Sequence, residues 1–395
     1  MAGASAVESV QQNQRSNFTI GSEREEEMLY LKEIIGGLAR HSTPIAAALL
    51  VASSLGAGSA LAEDAKVTLK IPTAFNTDLP TTGDSAVYFA DTVKAVTGGT
   101  VTAKLFNPGE LMPAFEIHKA VSDGQVEAGY TCSAYLGGSL KESIPFCTFP
   151  FSPEPIVFLG WLYEGNGLKL YQKMYDDAGY NVKVFPLGVW ASEGAGWFTK
   201  RVENPEDWEG VKIRIGGLAA PTVAKMGAVP TLVPYPEIFP SLEKGVIDAA
   251  EMGLPANDLR AGLYKVAKFY HFPSWHQPTS VAELIINKDV WNSMSDTQRA
   301  QVEAAVRQTN MHSLIHANAI QSAALQELQD KGVEIVRFSD KMLAQMRSAF
   351  NEVVAETAAE HPNFKVVWDD LSAFMEDYQA WENIGMIGRN QDAFD

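Results

Sequence analysis

From residue 66 onward the chain alternates two kinds of hydrophobic pattern. In one, every second residue is apolar over four to eight positions; in the other, apolar residues recur three and four apart. Residues 66–72 (KVTLKIP) read as a strand, and 82–97 as a helix carrying Val87, Phe89, Ala90, Val93 and Val96 on one face. A strand at 101–106, a helix at 115–123 and a strand at 125–130 follow. A second series opens with strands at 181–188 and 195–199. Asn204-Pro205-Glu206 then starts a short helix, with a cap, a proline at the first helical position and an acidic first turn, and Gly210 ends it. Strands at 210–215, 229–233 and 247–251 enclose a Gly216-Gly217 turn and a helix at 221–226 stopped by Gly227. Residues 296–331 carry a helical pattern about 35 residues long, with Ser295 or Asp296 as cap and Gly332 as stop; this is two helices, or one that braces neighbouring units or reaches a partner subunit.

Alternating strands and helices predict an α/β protein with mixed sheets flanked by helices and long C-terminal helices. A chain of 395 residues exceeds one average core, so two lobes are expected. The boundaries read as 63–181 for the first part of lobe 1, 182–255 for lobe 2, 256–295 for a return to lobe 1, and 296–395 for helices bracing both. Hinges are expected near Asn181 and Pro255.

The first 62 residues do not share this pattern. Residues 44–55 (PIAAALLVASSL) form an apolar run of 12, too short for a bilayer core of roughly 30 Å but suited to a signal peptide. Ala60-Leu61-Ala62 before Glu63 provides a small-residue cleavage site, so export with cleavage near Ala62 is expected. Residues 1–27 are polar and contain Glu25-Glu26-Glu27, unlike a basic leader, which makes Met28 a second candidate start; a buried N-terminal helix is the other reading of this region.

Composition narrows the function. The formal charge is -17 with no cluster of lysines and arginines, so nucleic-acid backbones would be repelled. Only Cys132 and Cys147 are present, and they do not lie in a CxxC; an oxidising compartment permits a bridge between them, and two buried thiols are the alternative. His312 and His316 sit one turn apart on the long helical pattern, a zinc-like spacing, but the intervening Ser-Leu-Ile supplies no acidic base, and a packing role is favoured. No Gly-x-Ser-x-Gly elbow, phosphate-binding glycine loop, dinucleotide fingerprint or HExxH occurs.

The most informative segment is 210–227. It places Arg214 at a strand end, followed by a glycine turn and a helix start, where open α/β sheets face their ligand crevice. A guanidinium there offers two parallel donors to a carboxylate; a surface salt bridge on an edge strand is the bland alternative.

Several separate motifs around it resemble the TRAP transporter solute-binding protein family. They are Gly196-Trp197-Phe198, residues 208–214 (WEGVKIR), residues 241–251 (SLEKGVIDAAE), residues 262–267 (GLYKVA) and residues 270–277 (YHFPSWHQ), in the family's order and covering nearly the whole chain after residue 62. The sequence is most similar to the branch that binds 2-oxo acids, lactate and related monocarboxylates together with a cation. The resemblance implies a two-lobed, non-catalytic periplasmic binding protein that delivers its ligand to the membrane permease subunits of a TRAP transporter. It implies that Arg214 clamps the ligand carboxylate and that a sodium or calcium ion is held by Glu193, Glu251 and Gln277. Relatives usually carry glutamine at the first of these positions and glutamate at the last, so the two are exchanged here while two carboxylates remain. Met252 stands where relatives most often place tryptophan, which leaves the ligand's shape open. Trp190, Phe75, Tyr130, Tyr135 and Trp275 are candidate walls.

A homodimer through the C-terminal helices is a further expectation. An exported ligand-sensing adaptor of the same fold is the alternative function, and a glycosidase-like use of Glu193 and Glu251 a remote one.

Overall fold

The computed structural model describes residues 64–385. The signal peptide, its cleavage site and the choice of start fall outside the described residues. Eleven strands run through this region: β1 (Val67–Pro72), β2 (Val101–Phe106), β3 (Ala128–Thr131), β4 (Val182–Ala191), β5 (Gly196–Phe198), β6 (Lys212–Arg214), β7 (Val229–Thr231), β8 (Ala249–Ala250), β9 (Phe269–Phe272), β10 (Thr279–Asn287) and β11 (Glu334–Arg337).

One half of the molecule holds the parallel pair β1–β2 and the antiparallel sheet β3–β10–β4, joined by a bridge between Thr73 and Tyr130. The helix Asp84–Val96 lays Phe89 and Val93 on its core. The other half is a six-stranded mixed sheet in the order β11-β9-β5-β8-β6-β7. It has its own apolar cluster, in which Trp208, Ile213, Val223, Phe338, Met342 and Met346 are buried. Three sheets around two apolar clusters make the two-lobed α/β binding-protein architecture, with helices flanking mixed sheets.

The lobe boundaries differ from those expected. β4 pairs with β10 beside β3, so the chain has not left the first half at Asn181; it crosses through the segment 192–195 into β5. β9 and β11 both belong to the six-stranded sheet, so the segment 256–295 divides between the halves: the return crossing is 273–278, after which β10 pairs with β3 and β4. The cause is that β4 is buried on nearly every residue, so its period names no face, and its partner lies about a hundred residues on.

The long pattern is one continuous helix, Asp296–Asp330. Ser295 is its N-cap, in a capping box with Gln298. It covers the outer edge of β4, where unpaired backbone groups would otherwise be left without partners. Asn310 accepts from Gly188 N at 2.9 Å and donates to Pro186 O at 2.9 Å, while Ser313 Oγ accepts from Val189 N at 2.9 Å. The helix's two histidines join it to the helix Asp84–Val96: His312 stacks on Tyr88 with ring centroids 3.8 Å apart, and His316 Nε2 lies 3.3 Å from Asp84 Oδ2.

Two more helices close the chain. Asp340–Glu360 sets Met342 and Met346 in the second core, and its Glu352 and Glu356 pair with Lys225. Pro362–Gly385 reaches the first half, where Trp161 Nε1 donates to Asp370 at 2.8 Å and Phe149 packs on Trp368. No helix among the described residues is long and apolar enough to cross a membrane. Cys132 and Cys147, 15 residues apart, form a disulfide.

Candidate functional site

Arg214 and Glu251 come together because their strands run side by side. In the parallel pair β6–β8 the register sets Arg214 opposite Ala250, so both chains leave the sheet at the same level. Glu251 N then donates to Arg214 O at 3.0 Å, and Arg214 Nη1 forms an ion pair with Glu251 Oε1. The guanidinium is also held by Val233 O (3.2 Å from Nε) and Glu251 O (3.3 Å from Nη1). Alternation along β6 exposes Lys212, while Arg214 at the strand's end is 4% exposed. The arginine is thus part of a buried pair and no surface bridge.

Glu193 arrives from the crossing segment after β4. Its Oε1 accepts from Trp190 Nε1 and from Ser280 Oγ, each at 2.9 Å, so two residues of the first half orient one carboxylate. Gln277, on the other crossing, sets its side-chain amide against the same group. With its nitrogen inward it donates to Glu193 Oε2 at 2.7 Å; with its oxygen inward, two oxygens face each other and need a cation or the Glu193 proton between them.

These residues line a small cleft that is partly open to solvent. Arg214 is the one lysine or arginine among the described residues lining it, against the carboxylates of Glu193 and Glu251. Trp190, Tyr135, Phe75 and Met252 form wall, as the sequence suggested. Tyr130 stands one layer back, edge-on to Phe75, and donates to Thr82 O at 2.8 Å. Trp275 is not in the wall. The segment 273–278 is not a strand, so residues 275 and 277 do not share a face, and the Trp275 ring packs on Phe151 in the second core.

Sequence reasoning did not single out Tyr235, Leu232, Thr82, Thr148 or Ser280, which also line the cavity. Tyr235 lies edge-on to Phe75 across it. Nor did it single out His276, whose ring is buried beside Glu193 and Glu251. Its place next to Gln277 in the 270–277 motif was the available signal.

The electrostatics are unbalanced. Burial, with Glu251 nearby, pushes the Glu193 carboxyl up to about 8. Burial also raises Glu251, against the lowering influence of Arg214. Behind them burial lifts Asp258 to about 7, although Trp197 Nε1 at 2.7 Å and Tyr270 OH at 2.8 Å both donate to it. Elsewhere a buried acid is fully answered: Glu283 meets His118 Nε2 at 2.7 Å and the hydroxyls of Tyr171 and Tyr175 at 2.6 and 2.8 Å. In the cavity Arg214 pairs with Glu251, while Glu193 meets only the neutral donors of Trp190 and Ser280 and the Gln277 amide. The donor set is oxygen-rich and buried, which fits a cation of the hard class.

Comparison with known proteins agrees with this geometry. The profile of the bacterial extracellular solute-binding protein family 7 matches residues 74–361. A monocarboxylate 2-oxoacid-binding periplasmic protein of Nostoc sp. is 31% identical over 299 residues, covering 75% of this chain and 81% of that one. Among solved structures, a TRAP transporter solute-binding protein from Bordetella bronchiseptica, with copurified calcium and picolinate, superposes with a TM-score of 0.78 at 27% identity, over 81% of this chain and 95% of that one. Another from Pseudoalteromonas atlantica, with bound sodium and pyruvate, gives 0.77 at 27% identity, over 81% and 97%. With a profile match across most of the two-lobed body and relatives aligned over most of their length, this chain belongs to the bacterial extracellular solute-binding protein family 7.

Proposed function

We propose that the protein captures a small monocarboxylate, a 2-oxo or 2-hydroxy acid, together with a sodium or calcium ion, and delivers it to the permease subunits of a TRAP-type secondary transporter. The observation that carries this is the charge count of the cavity. Once Glu193, raised to about 8, gives up its proton, both glutamates are ionised against one charged Arg214; the lining is then at -1, and an anionic ligand alone would take it to -2 in a buried place. Uncompensated buried charge is costly by several kcal/mol per ion. A cation shared by Glu193, Glu251, the Gln277 amide oxygen and the ligand halves that excess if it is sodium and cancels it if it is calcium, leaving Arg214 to hold the carboxylate with its planar fork. The aromatic and thioether walls suit a short organic tail and offer no second cationic side chain for a dicarboxylate.

The work of this site is binding. The arginine is paired with Glu251 and the cavity sits between two lobes, so a ligand touching both favours the closed arrangement and can be read by a membrane partner. Export through the N-terminal signal and a periplasmic location belong to the same reading. The last helix exposes Val366, Trp381 and Ile384, which supports pairing of two copies through the C-terminal helices.

A thermal-shift panel tests the assignment, since a ligand bound only by the folded state raises its midpoint. Pyruvate and lactate with calcium or sodium are expected to raise it, and succinate and glucose are not. No shift with any monocarboxylate in any ionic condition would remove the substrate assignment.

A further inference from the structure

We propose that the ligand of the cleft carries a short unbranched aliphatic tail, which passes between Met252 and Tyr235 into a second hollow behind them, so that straight-chain 2-oxo acids longer than pyruvate are the preferred class. This rests on the monocarboxylate reading above and names the acid within it. Met252 and Tyr235 line the cleft together with Arg214, and they also line a separate hollow with Leu79, Phe239 and Ala261. Side chains that face two hollows are the partition between them. Met252 follows directly on Glu251, the ion-pair partner of Arg214, so the partition stands next to the place where the carboxylate is held.

The chemistry of partition and hollow fits such a tail. The cleft itself is small, so a tail longer than a methyl group has to leave it. Methionine is unbranched, with three rotatable bonds and a polarizable thioether, and repacks around a neighbouring chain where a rigid ring would not. Tyr235 is fixed by its edge-on contact with Phe75, ring centroids 5.6 Å apart, so the methionine is the part that moves. Beyond them Leu79 is buried and Phe239 and Ala261 are half-buried, which gives methylene groups an apolar floor. The charged groups of the hollow, Asp78 and Arg260, answer each other at 2.7 Å, so Arg260 is already paired and the hollow favours a neutral tail over a second carboxylate. Each methylene taken out of water is worth about fourfold in affinity.

The full chain, at one fixed calcium concentration, is titrated calorimetrically with pyruvate, 2-oxobutyrate, 2-oxovalerate, 2-oxohexanoate and the dicarboxylate 2-oxoadipate. Affinity is expected to rise along the monocarboxylates, with 2-oxohexanoate at least tenfold tighter than pyruvate and 2-oxoadipate no tighter than pyruvate. Ala261 lines the hollow and not the cleft, so Ala261→Phe is expected to remove the gain while holding pyruvate within threefold. Met252→Trp, read as the ratio of the two affinities, is expected to remove the gain too, and it decides the matter should Ala261→Phe not fold. A gain below tenfold in the unaltered protein, or a gain that survives the substitutions, overturns the inference and leaves the monocarboxylate reading standing. Tighter binding of 2-oxoadipate than of 2-oxohexanoate makes the hollow a carboxylate subsite and overturns it as well. If pyruvate and the longer acids all fail to bind, the monocarboxylate reading falls and takes this one with it.

Discussion

Replacing Arg214 with alanine separates ligand recognition from scaffold. The guanidinium is 4% exposed, ion-paired to Glu251, and also held by two backbone carbonyls at 3.2 and 3.3 Å. Losing one partner of a buried, hydrogen-bonded charge pair across an interface costs about 2–5 kcal/mol of binding, and about 1.4 kcal/mol is tenfold. Pyruvate affinity is therefore expected to fall by roughly 30-fold to a few thousand-fold. Stability suffers too, because Glu251 is left buried and unpaired; about 3 kcal/mol is the low end for such a loss. Glu251 can escape part of this by taking a proton, since burial already raises it. The apo variant is thus expected to melt a few degrees lower, and calcium, which restores positive charge beside Glu251, should recover part of that loss without restoring pyruvate binding. Calorimetry with pyruvate at fixed calcium and a thermal melt with and without calcium read the two effects. Binding of pyruvate by Arg214→Ala within threefold of the unaltered protein would refute the role given to the arginine.

Three further outcomes are expected. Glu193→Gln keeps an oxygen for Trp190 and Ser280 while removing a buried charge. In chelator at pH 9 it should therefore melt higher than the unaltered protein yet bind calcium at least tenfold more weakly; equal calcium affinity would exclude Glu193 as a ligand. Burial pushes His271 down to about 4, so between pH 6.5 and 4 the unfolded chain takes up a proton that the folded one refuses, and stability is lost as pH falls through that window, by about 3 kcal/mol. Urea unfolding at pH 7 and pH 4.5 should show that loss shrinking in His271→Asn, and an unchanged difference would contradict it. The Cys132–Cys147 disulfide closes a loop of 15 residues, so the double alanine variant should lose about 3 kcal/mol in denaturant unfolding, with loss under 1 kcal/mol refuting a stabilising bridge.

Local chemistry made some of this protein legible from its residues alone. The long helix was bounded by its cap at Ser295 and its stop at Gly332, because capping is settled within one turn. Arg214 at the end of β6 was visible because alternation and the following glycines mark a strand end. What failed were facts of pairing. β4 looked like the start of the second lobe because a strand buried on both faces shows no period, and only its register with β10 assigns it. Trp275 was expected as a wall of the cavity, but its ring packs on Phe151 in the second core, a contact across more than a hundred residues that no local pattern shows. Tyr235 was invisible because nothing around Pro234 and Pro236 marks a ligand wall; it becomes one only when the lobes set it against Phe75. The disulfide stayed undecided for the same reason, since compartment permits a bridge and only geometry makes one.

The central claim is that ligand and cation bind as one unit in the cleft. Isothermal titration of pyruvate into chelated protein, and again with calcium restored, tests it most directly. The account predicts saturable one-to-one binding with calcium and at least a hundredfold weaker binding in chelator. Equal affinity in both conditions, or no binding in either, would contradict it.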